Sequence, residues 1–102
     1  MNITRTQNNN KTILALSGRL DTATSPGLLE ALMPEFDTAG EIELDLSGLT
    51  YISSAGLRVL LTGEKTSKAR DVKMILSHVS PDIMEIFTMT GFNSVLRFAQ
   101  GE

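Results

Sequence analysis

Apolar residues recur at every second position, or form short runs, in five stretches of the chain, and both patterns are typical of β-strands. Residues 11–17 (KTILALS) are firmly apolar. In residues 41–49, Glu43 and Asp45 alternate with apolar neighbours, which indicates a strand with one buried face and one polar face. The predicted strands are residues 3–7, 11–17, 41–49, 72–77 and 95–98.

Three other stretches carry apolar residues at helical spacing, and cap residues mark where each helix begins. Thr24 or Ser25 can cap the first helix. The second spans residues 55–69, and the third begins after Ser80 and ends at Gly91. The predicted inner positions are Leu28, Leu29, Leu32 and Phe36 in the first helix, Leu57, Leu60, Leu61 and Ala69 in the second, and Ile83, Ile86, Phe87 and Thr90 in the third.

This order of elements predicts an α/β fold with a mixed central sheet of about five strands. Three asparagines separate the first two strands, so these strands are expected to form an N-terminal hairpin. The later strands alternate with helices and are expected to be parallel. Because Glu43, Asp45 and Lys73 point away from the core, the helices are expected mainly on one face. The length of 102 residues fits a single domain, residues 1–102.

Composition and charge exclude several classes of protein. Nine basic residues stand against twelve acidic ones, a net charge of −3, which argues against nucleic acid as a partner. No apolar run approaches the roughly 18 residues of a membrane span, and no signal-peptide pattern is present. We therefore expect a cytoplasmic protein without membrane insertion. With no cysteine, one histidine (His78) and no glycine-rich phosphate loop, neither a metal, a cofactor nor an enzymatic activity is expected.

The junction YISSAGLR, residues 51–58, combines two serines and a glycine where an apolar strand precedes an apolar helix. The N-terminus of a helix has free N–H groups and the positive end of the helix dipole. A serine oxygen can cap these groups. The same geometry also stabilises a phosphate. The residues alone leave both interpretations open.

Four stretches carry a resemblance to a known family: LSGRLDTATSP (16–26), IELDLSGLTYISSAGLRVLL (42–61), SP (80–81) and IFTMTGFNSVLRF (86–98). Together they resemble the STAS domain, the fold shared by bacterial anti-sigma factor antagonists and the cytosolic tails of sulfate transporters. The resemblance covers nearly the whole chain. Its most specific part is the second stretch. There an apolar strand with the motif D-L-S-x-L is followed by an aromatic residue, then by serine, and then by Gly-Leu.

The resemblance implies a phosphorylation switch. In that family an antagonist binds an anti-sigma factor that is also a serine kinase, and the kinase phosphorylates a serine in Asp-Ser-Ser/Thr-Gly-Leu. The matching residue here is Ser54. Ser53 stands in place of the family's aspartate and is a second candidate acceptor, and Ala55 replaces the second hydroxyl residue. Asp21 and Thr22 match the loop beside the phosphorylation site, and a serine phosphatase is implied as a further partner.

The leading hypothesis is therefore a non-enzymatic anti-sigma factor antagonist, released from its anti-sigma kinase by phosphorylation at Ser54. The alternative within the same fold is an adaptor, for example an accessory subunit of a transport system, in which Ser54 acts only as a cap. A small enzyme or ligand-binding protein ranks below both for lack of a site. The predicted partner-binding residues are Asp21, Thr22, Ser53, Ser54, Gly56, Leu57 and Arg58.

Overall fold

Four strands form one mixed sheet in the computed structural model, which describes residues 1–99. The first two strands pair antiparallel, the remaining pairs are parallel, and the order across the sheet follows the order along the chain. This confirms the predicted α/β fold with a hairpin followed by parallel strands. The strands are β1 (Asn2–Asn8), β2 (Lys11–Leu20), β3 (Glu41–Ile52) and β4 (Lys73–Ser77).

The predicted fifth strand at residues 95–98 is wrong. Phe98 forms only an isolated parallel bridge with Leu76 of β4. The residues before it are wound into a short 3₁₀ helix, Phe92–Ser94, so only one residue pair reaches the edge of β4. The ring of Phe98 packs instead on that of Phe87, with 5.8 Å between ring centroids. The apolar residues of this segment thus help to cover the core rather than extend the sheet.

Three α-helices connect or follow the strands: α1 (Ser25–Leu32), α2 (Ser54–Arg70) and α3 (Pro81–Thr90). The first predicted helix was too long, because a 3₁₀ helix, Met33–Asp37, replaces its last turn. Pro34 lies in that segment and has no N–H to continue the α-helical hydrogen bonds. Phe36 is buried as predicted, but Leu29 is 36% exposed and does not face the core.

The helices α2 and α3 bury a partly different set of residues from the one predicted. In α2, Leu61 is only half-buried and Ala69 is exposed, whereas the polar Glu64 and Ser67 are buried. In α3, Ile86 is half-buried and Thr90 is exposed. The predicted limits of α3 are confirmed: the Ser80 hydroxyl accepts a hydrogen bond from the amide of Ile83, and Gly91 ends the helix with φ of 82°.

The core lies on one face of the sheet, where the helices pack. The opposite face is polar: Lys11 Nζ lies 2.8 Å from Glu43 Oε1, and the Ser77 hydroxyl donates to Glu43 Oε2 at 2.6 Å. Within residues 1–99, no helix has the length and apolar character needed to cross a membrane. The buried strand positions include Leu14, Leu16, Ile42, Leu44, Leu46, Met74 and Leu76, and they contact Leu28, Leu32, Leu57, Leu60, Ile83 and Phe87 of the helices.

A buried carboxylate fastens the 3₁₀ helix after α1 to the hairpin. Glu35 accepts hydrogen bonds from Arg5 Nε at 2.7 Å and from the buried Thr12 hydroxyl at 3.1 Å. The hydrogen bond from Arg5 is the main cause that holds the pKa of Glu35 below its ordinary value, against the opposing effect of burial. The ionised form of Glu35 therefore stabilises the fold.

We expect acid to destabilise the protein partly through Glu35. Since its pKa is lower in the folded state, the stabilisation is complete above the unfolded value of about 4.3 and is lost as the pH falls through the folded value. Glu35→Gln should lower the free energy of unfolding at neutral pH by about 1 kcal/mol. The variant should also lose less stability than wild type between about pH 5 and about pH 3.

Urea titrations at several pH values measure both effects. Glu30→Gln is the matched control, because Glu30 is exposed and makes no ion pair within the described residues. Equal pH dependence of wild type and Glu35→Gln would show that Glu35 is not responsible.

Candidate functional site

The two serines that precede α2 have different environments. Ser53 is the N-cap, with φ of −100° and ψ of 176°, and its hydroxyl oxygen accepts a hydrogen bond from the amide of Gly56 at 3.4 Å. Ser54 is the first helical residue and is exposed. Its hydroxyl makes no hydrogen bond within the described residues. Capping therefore belongs to Ser53, which leaves the Ser54 hydroxyl accessible.

Close packing holds the start of α2 against the end of β2. The amide of Ser53 donates to the carbonyl of Leu20 at 2.9 Å. A Cβ added to Gly56 would lie 2.8 Å from Leu20 Cγ and 2.9 Å from Ile52 Cγ1, so a side chain at this position would require the neighbours to move. Gly56 is buried and makes room for the chain's own residues rather than presenting backbone at the surface. Leu57, which is 8% exposed, faces the core.

The loop after β2 lies beside this junction and is ordered by Asp21. Asp21 Oδ1 accepts hydrogen bonds from the amides of Ala23 and Thr24, at 3.0 and 3.1 Å. The hydrogen bond from the Thr24 amide is the main cause that holds the pKa of Asp21 below its ordinary value, and the bond from the Ala23 amide acts in the same direction. Because its carboxylate already accepts hydrogen bonds within the loop, the main role of Asp21 in this structure is to hold the loop in its conformation. Thr22 is exposed at the tip of the loop.

The predicted cap of α1 is confirmed in position but not in its hydrogen bond. Thr24 occupies the N-cap position, but its side chain makes no cap hydrogen bond. Its hydroxyl instead donates to the carbonyl of Arg19 at 2.8 Å and accepts from the amide of Asp21 at 2.9 Å. The Ser25 hydroxyl donates to the carbonyl of Asp21. Both hydroxyls therefore tighten the loop that faces the junction.

A cation–π pair that the sequence did not reveal borders the site. The guanidinium of Arg19 lies over the ring of Tyr51, 4.0 Å from its centroid, and Arg19 Nε is 3.8 Å from Asp21 Oδ2. Tyr51 is 37% exposed. These residues come together because Arg19 and Tyr51 are paired across β2 and β3. The pairing depends on two shifts in the register between β2 and β3, at each of which β3 contains one extra residue, and no sequence pattern showed them.

Arg58 adds a second exposed cation to this surface. It lies four residues after Ser54 in α2 and makes no ion pair within residues 1–99. The first turn of α2 contains no acidic residue. We call the residues around this junction, Arg19, Asp21, Tyr51, Ser54 and Arg58, the junction surface; they include two arginines and one internally bonded carboxylate.

The junction surface has the character of a protein contact rather than a ligand pocket. A depression of about 320 Å³ lies at the opposite end of the sheet, lined in part by Gly40, Ser67, Lys73 and Arg97. Within residues 1–99, no group of three or more histidine, aspartate or glutamate side chains is arranged to hold a metal ion. An exposed aromatic ring stacked with an arginine, as in Tyr51 and Arg19, is typical of protein interfaces.

Comparison with known families identifies the class of protein. The model of the STAS domain matches residues 2–102, and the chain belongs to this family. Among curated relatives, the chain is 34% identical over 88 residues to the putative anti-sigma factor antagonist BtrV of Bordetella bronchiseptica, covering 85% of this chain and 76% of the relative. It is 25% identical over 96 residues to the anti-sigma-B factor antagonist of Bacillus subtilis, covering 94% and 88%.

Solved structures show the same fold. The anti-sigma factor antagonist SpoIIAA in its unphosphorylated form superposes with a TM-score of 0.81 and 16% identity, covering 98% of this chain and 90% of that protein. The phosphorylated form of SpoIIAA from Bacillus superposes with a TM-score of 0.75 at 16% identity, covering 98% and 93%. The four-stranded architecture found in this chain is therefore that of the STAS fold.

We expect Gly56→Ala to destabilise the protein by about 1–3 kcal/mol, because the new methyl group overpacks the junction. Gly27→Ala is the matched control: it is also a helical glycine, but nothing lies within 4 Å of its added Cβ. That variant should gain roughly 0.5 kcal/mol from the higher helix propensity of alanine. Thermal and urea unfolding measure the two changes, and a stable Gly56→Ala protein would contradict the close packing.

Proposed function

We propose that the protein is an anti-sigma factor antagonist that binds an anti-sigma factor with serine kinase activity and is released when that kinase phosphorylates Ser54. The names of the curated relatives support the antagonist class. The observation that carries the site assignment is the exposed Ser54 hydroxyl beside a separate cap residue, Ser53. A kinase can reach this hydroxyl without breaking the cap.

The junction surface is the proposed docking site for the kinase. Tyr51 provides an exposed aromatic anchor, and Arg19 and Arg58 provide cations that suit an acidic surface on the partner. Thr22 lies at the tip of the adjoining loop. Of the residues predicted to contact a partner, Gly56 and Leu57 support the surface from below, since both are buried.

Phosphorylation acts on binding more than on folding. The γ-phosphoryl group of ATP is transferred to Ser54 Oγ, the hydroxyl proton passes to a base of the kinase, and ADP leaves. The product carries about −1.5 to −2 charges at neutral pH. The amides of the first turn of α2 tolerate this charge, so the fold persists. At an interface the same charge must lose its water and meets the acidic residues of the partner, which drives release.

The released antagonist needs a route back to its binding form. A serine phosphatase that hydrolyses the phosphate from Ser54 would restore the neutral hydroxyl and the original junction surface. Because the kinase draws on ATP, we place the complete cycle in the cytoplasm.

Phosphorylation can be tested by incubating the protein with the anti-sigma kinase and ATP and measuring intact mass. We expect one phosphate on wild type and on Ser53→Ala, and none on Ser54→Ala. Ser54→Ala should remain bound when ATP is added, and Ser54→Asp should fold but bind weakly. Ser53→Ala should be about 1 kcal/mol less stable, whereas Ser54→Ala should match wild type, because only Ser53 caps the helix.

Two results would contradict this assignment. Phosphate on Ser54→Ala would move the acceptor to Ser53. No phosphate on any variant, with binding intact, would favour an adaptor without a switch.

The cationic character of the docking site gives a second test. In the unphosphorylated antagonist, Arg58→Glu should weaken binding to the anti-sigma kinase by about tenfold, since it replaces attraction to acidic residues of the kinase by repulsion. Its thermal midpoint should stay close to that of wild type, because Arg58 is exposed. Lys65→Glu, on an exposed position further along α2, is the charge-matched control. Isothermal titration measures the affinities, and equal loss in both variants would point to net charge alone.

A further inference from the structure

The spacing of Ser54 and Arg58 along α2 brings Arg58 within reach of a phosphate on Ser54. Both residues are exposed on α2, and they are four positions apart. Residues at this spacing are neighbours on a helix surface, with about 5–6 Å between Cβ atoms. The anion would precede the cation along the helix, which is the more favourable order for such pairs.

No competing acid occupies the neighbourhood of Arg58 on this helix. The positions three and four residues away are Ser54, Ala55, Leu61 and Thr62, none of which carries a charge. The first turn of α2 has no acidic residue, and Arg58 makes no ion pair within the described part of the chain. A phosphate at Ser54 would therefore be the first anion within its reach along α2.

The other cation of the junction surface is already engaged. Arg19 stacks on Tyr51 at 4.0 Å and lies 3.8 Å from the carboxylate of Asp21. Moving it toward Ser54 would cost both contacts. Arg58 gives up no such contact, and its planar guanidinium can bind two phosphate oxygens at once.

We propose that Arg58 is the intramolecular receptor of the phosphate on Ser54. This inference rests on the proposed function, because it assumes that Ser54 is modified, and it extends that function to how the switch works. Phosphorylation then changes the junction surface twice: it adds an anion, and it withdraws from the partner the arginine that had been free to bind it. Release follows from the loss of an attraction as well as from repulsion.

The test uses protein with phosphoserine incorporated at position 54 during synthesis or by ligation, so that it requires neither kinase nor partner. The pKa of the second phosphate ionisation, normally about 6, is read by phosphorus NMR across a pH titration. Pairing with Arg58 favours the dianion, so Arg58→Gln should raise this pKa by about 0.3, the equivalent of one helix ion pair. Arg58→Lys should restore part of the difference.

Lys65→Gln is the matched control for net charge. Lys65 is exposed and lies eleven residues beyond Ser54, which places it on the same side of α2 but about 16 Å further along the helix axis. Its loss should leave the phosphate pKa unchanged. A second readout is the Nε–H resonance of Arg58, which should shift on phosphorylation of wild type.

Equal phosphate pKa values for wild type and Arg58→Gln, or an equal rise in Lys65→Gln, would overturn the proposal. An Nε–H resonance of Arg58 that does not shift between the unphosphorylated and the phosphorylated wild type would also overturn the proposal. Failure of the proposed function would be recognised by a different observation. The kinase would leave Ser54 unmodified, while the synthetic phosphoprotein would still report on the pairing between Arg58 and the phosphate.

Discussion

The contact between the start of α2 and the end of β2 is the constraint on which the junction surface depends. One backbone hydrogen bond, from Ser53 to Leu20, fixes the distance between the two segments, and the absence of a side chain at Gly56 permits it. The loop ordered by Asp21 begins directly after Leu20 and is therefore held in the same place. Residues from two separate parts of the sequence, 19–21 and 51–58, are brought together by this close approach.

The separation of roles between the two serines has an electrostatic side. A carboxylate at the N-cap would interact favourably with the positive end of the helix dipole, but it would also lie next to any phosphate on the following residue and repel it. The neutral hydroxyl of Ser53 supplies the cap hydrogen bond without that repulsion. The cost is a first turn with no negative charge in the unmodified protein. The helix start is thus electrostatically incomplete, and a phosphate on Ser54 would complete it.

Much of the fold could be predicted because periodicity and cap residues are local signals. The alternation in β3, the cap at Ser80 and the terminating Gly91 each appear within a few neighbouring residues. The failures involve contacts between distant residues. Residues 95–98 resemble a strand locally, but α3 and its 3₁₀ extension determine how much of that segment reaches β4.

The candidate site shows the same division. Ser53 and Ser54 were found from sequence because a strand–serine–helix junction is a local pattern. The spacing of apolar residues likewise predicted that Leu57 is buried. The pairing of Arg19 with Tyr51 depends on the register between β2 and β3, which is not encoded in a short stretch of sequence. The resemblance to a family supplied the hypothesis for the role of the junction, but not the residues that surround it.

The order of the strands has a consequence for synthesis on the ribosome. Each strand lies next to the one that precedes it in the chain, so no strand has to enter between two that have already paired. The sheet can therefore be extended in chain order, but the single core is complete only when Met74 and Leu76 of β4 and Ile83 and Phe87 of α3 pack into it. The segment that forms the junction surface is translated before these residues. The part of the chain made first thus waits for the part made last before its surface takes its final shape.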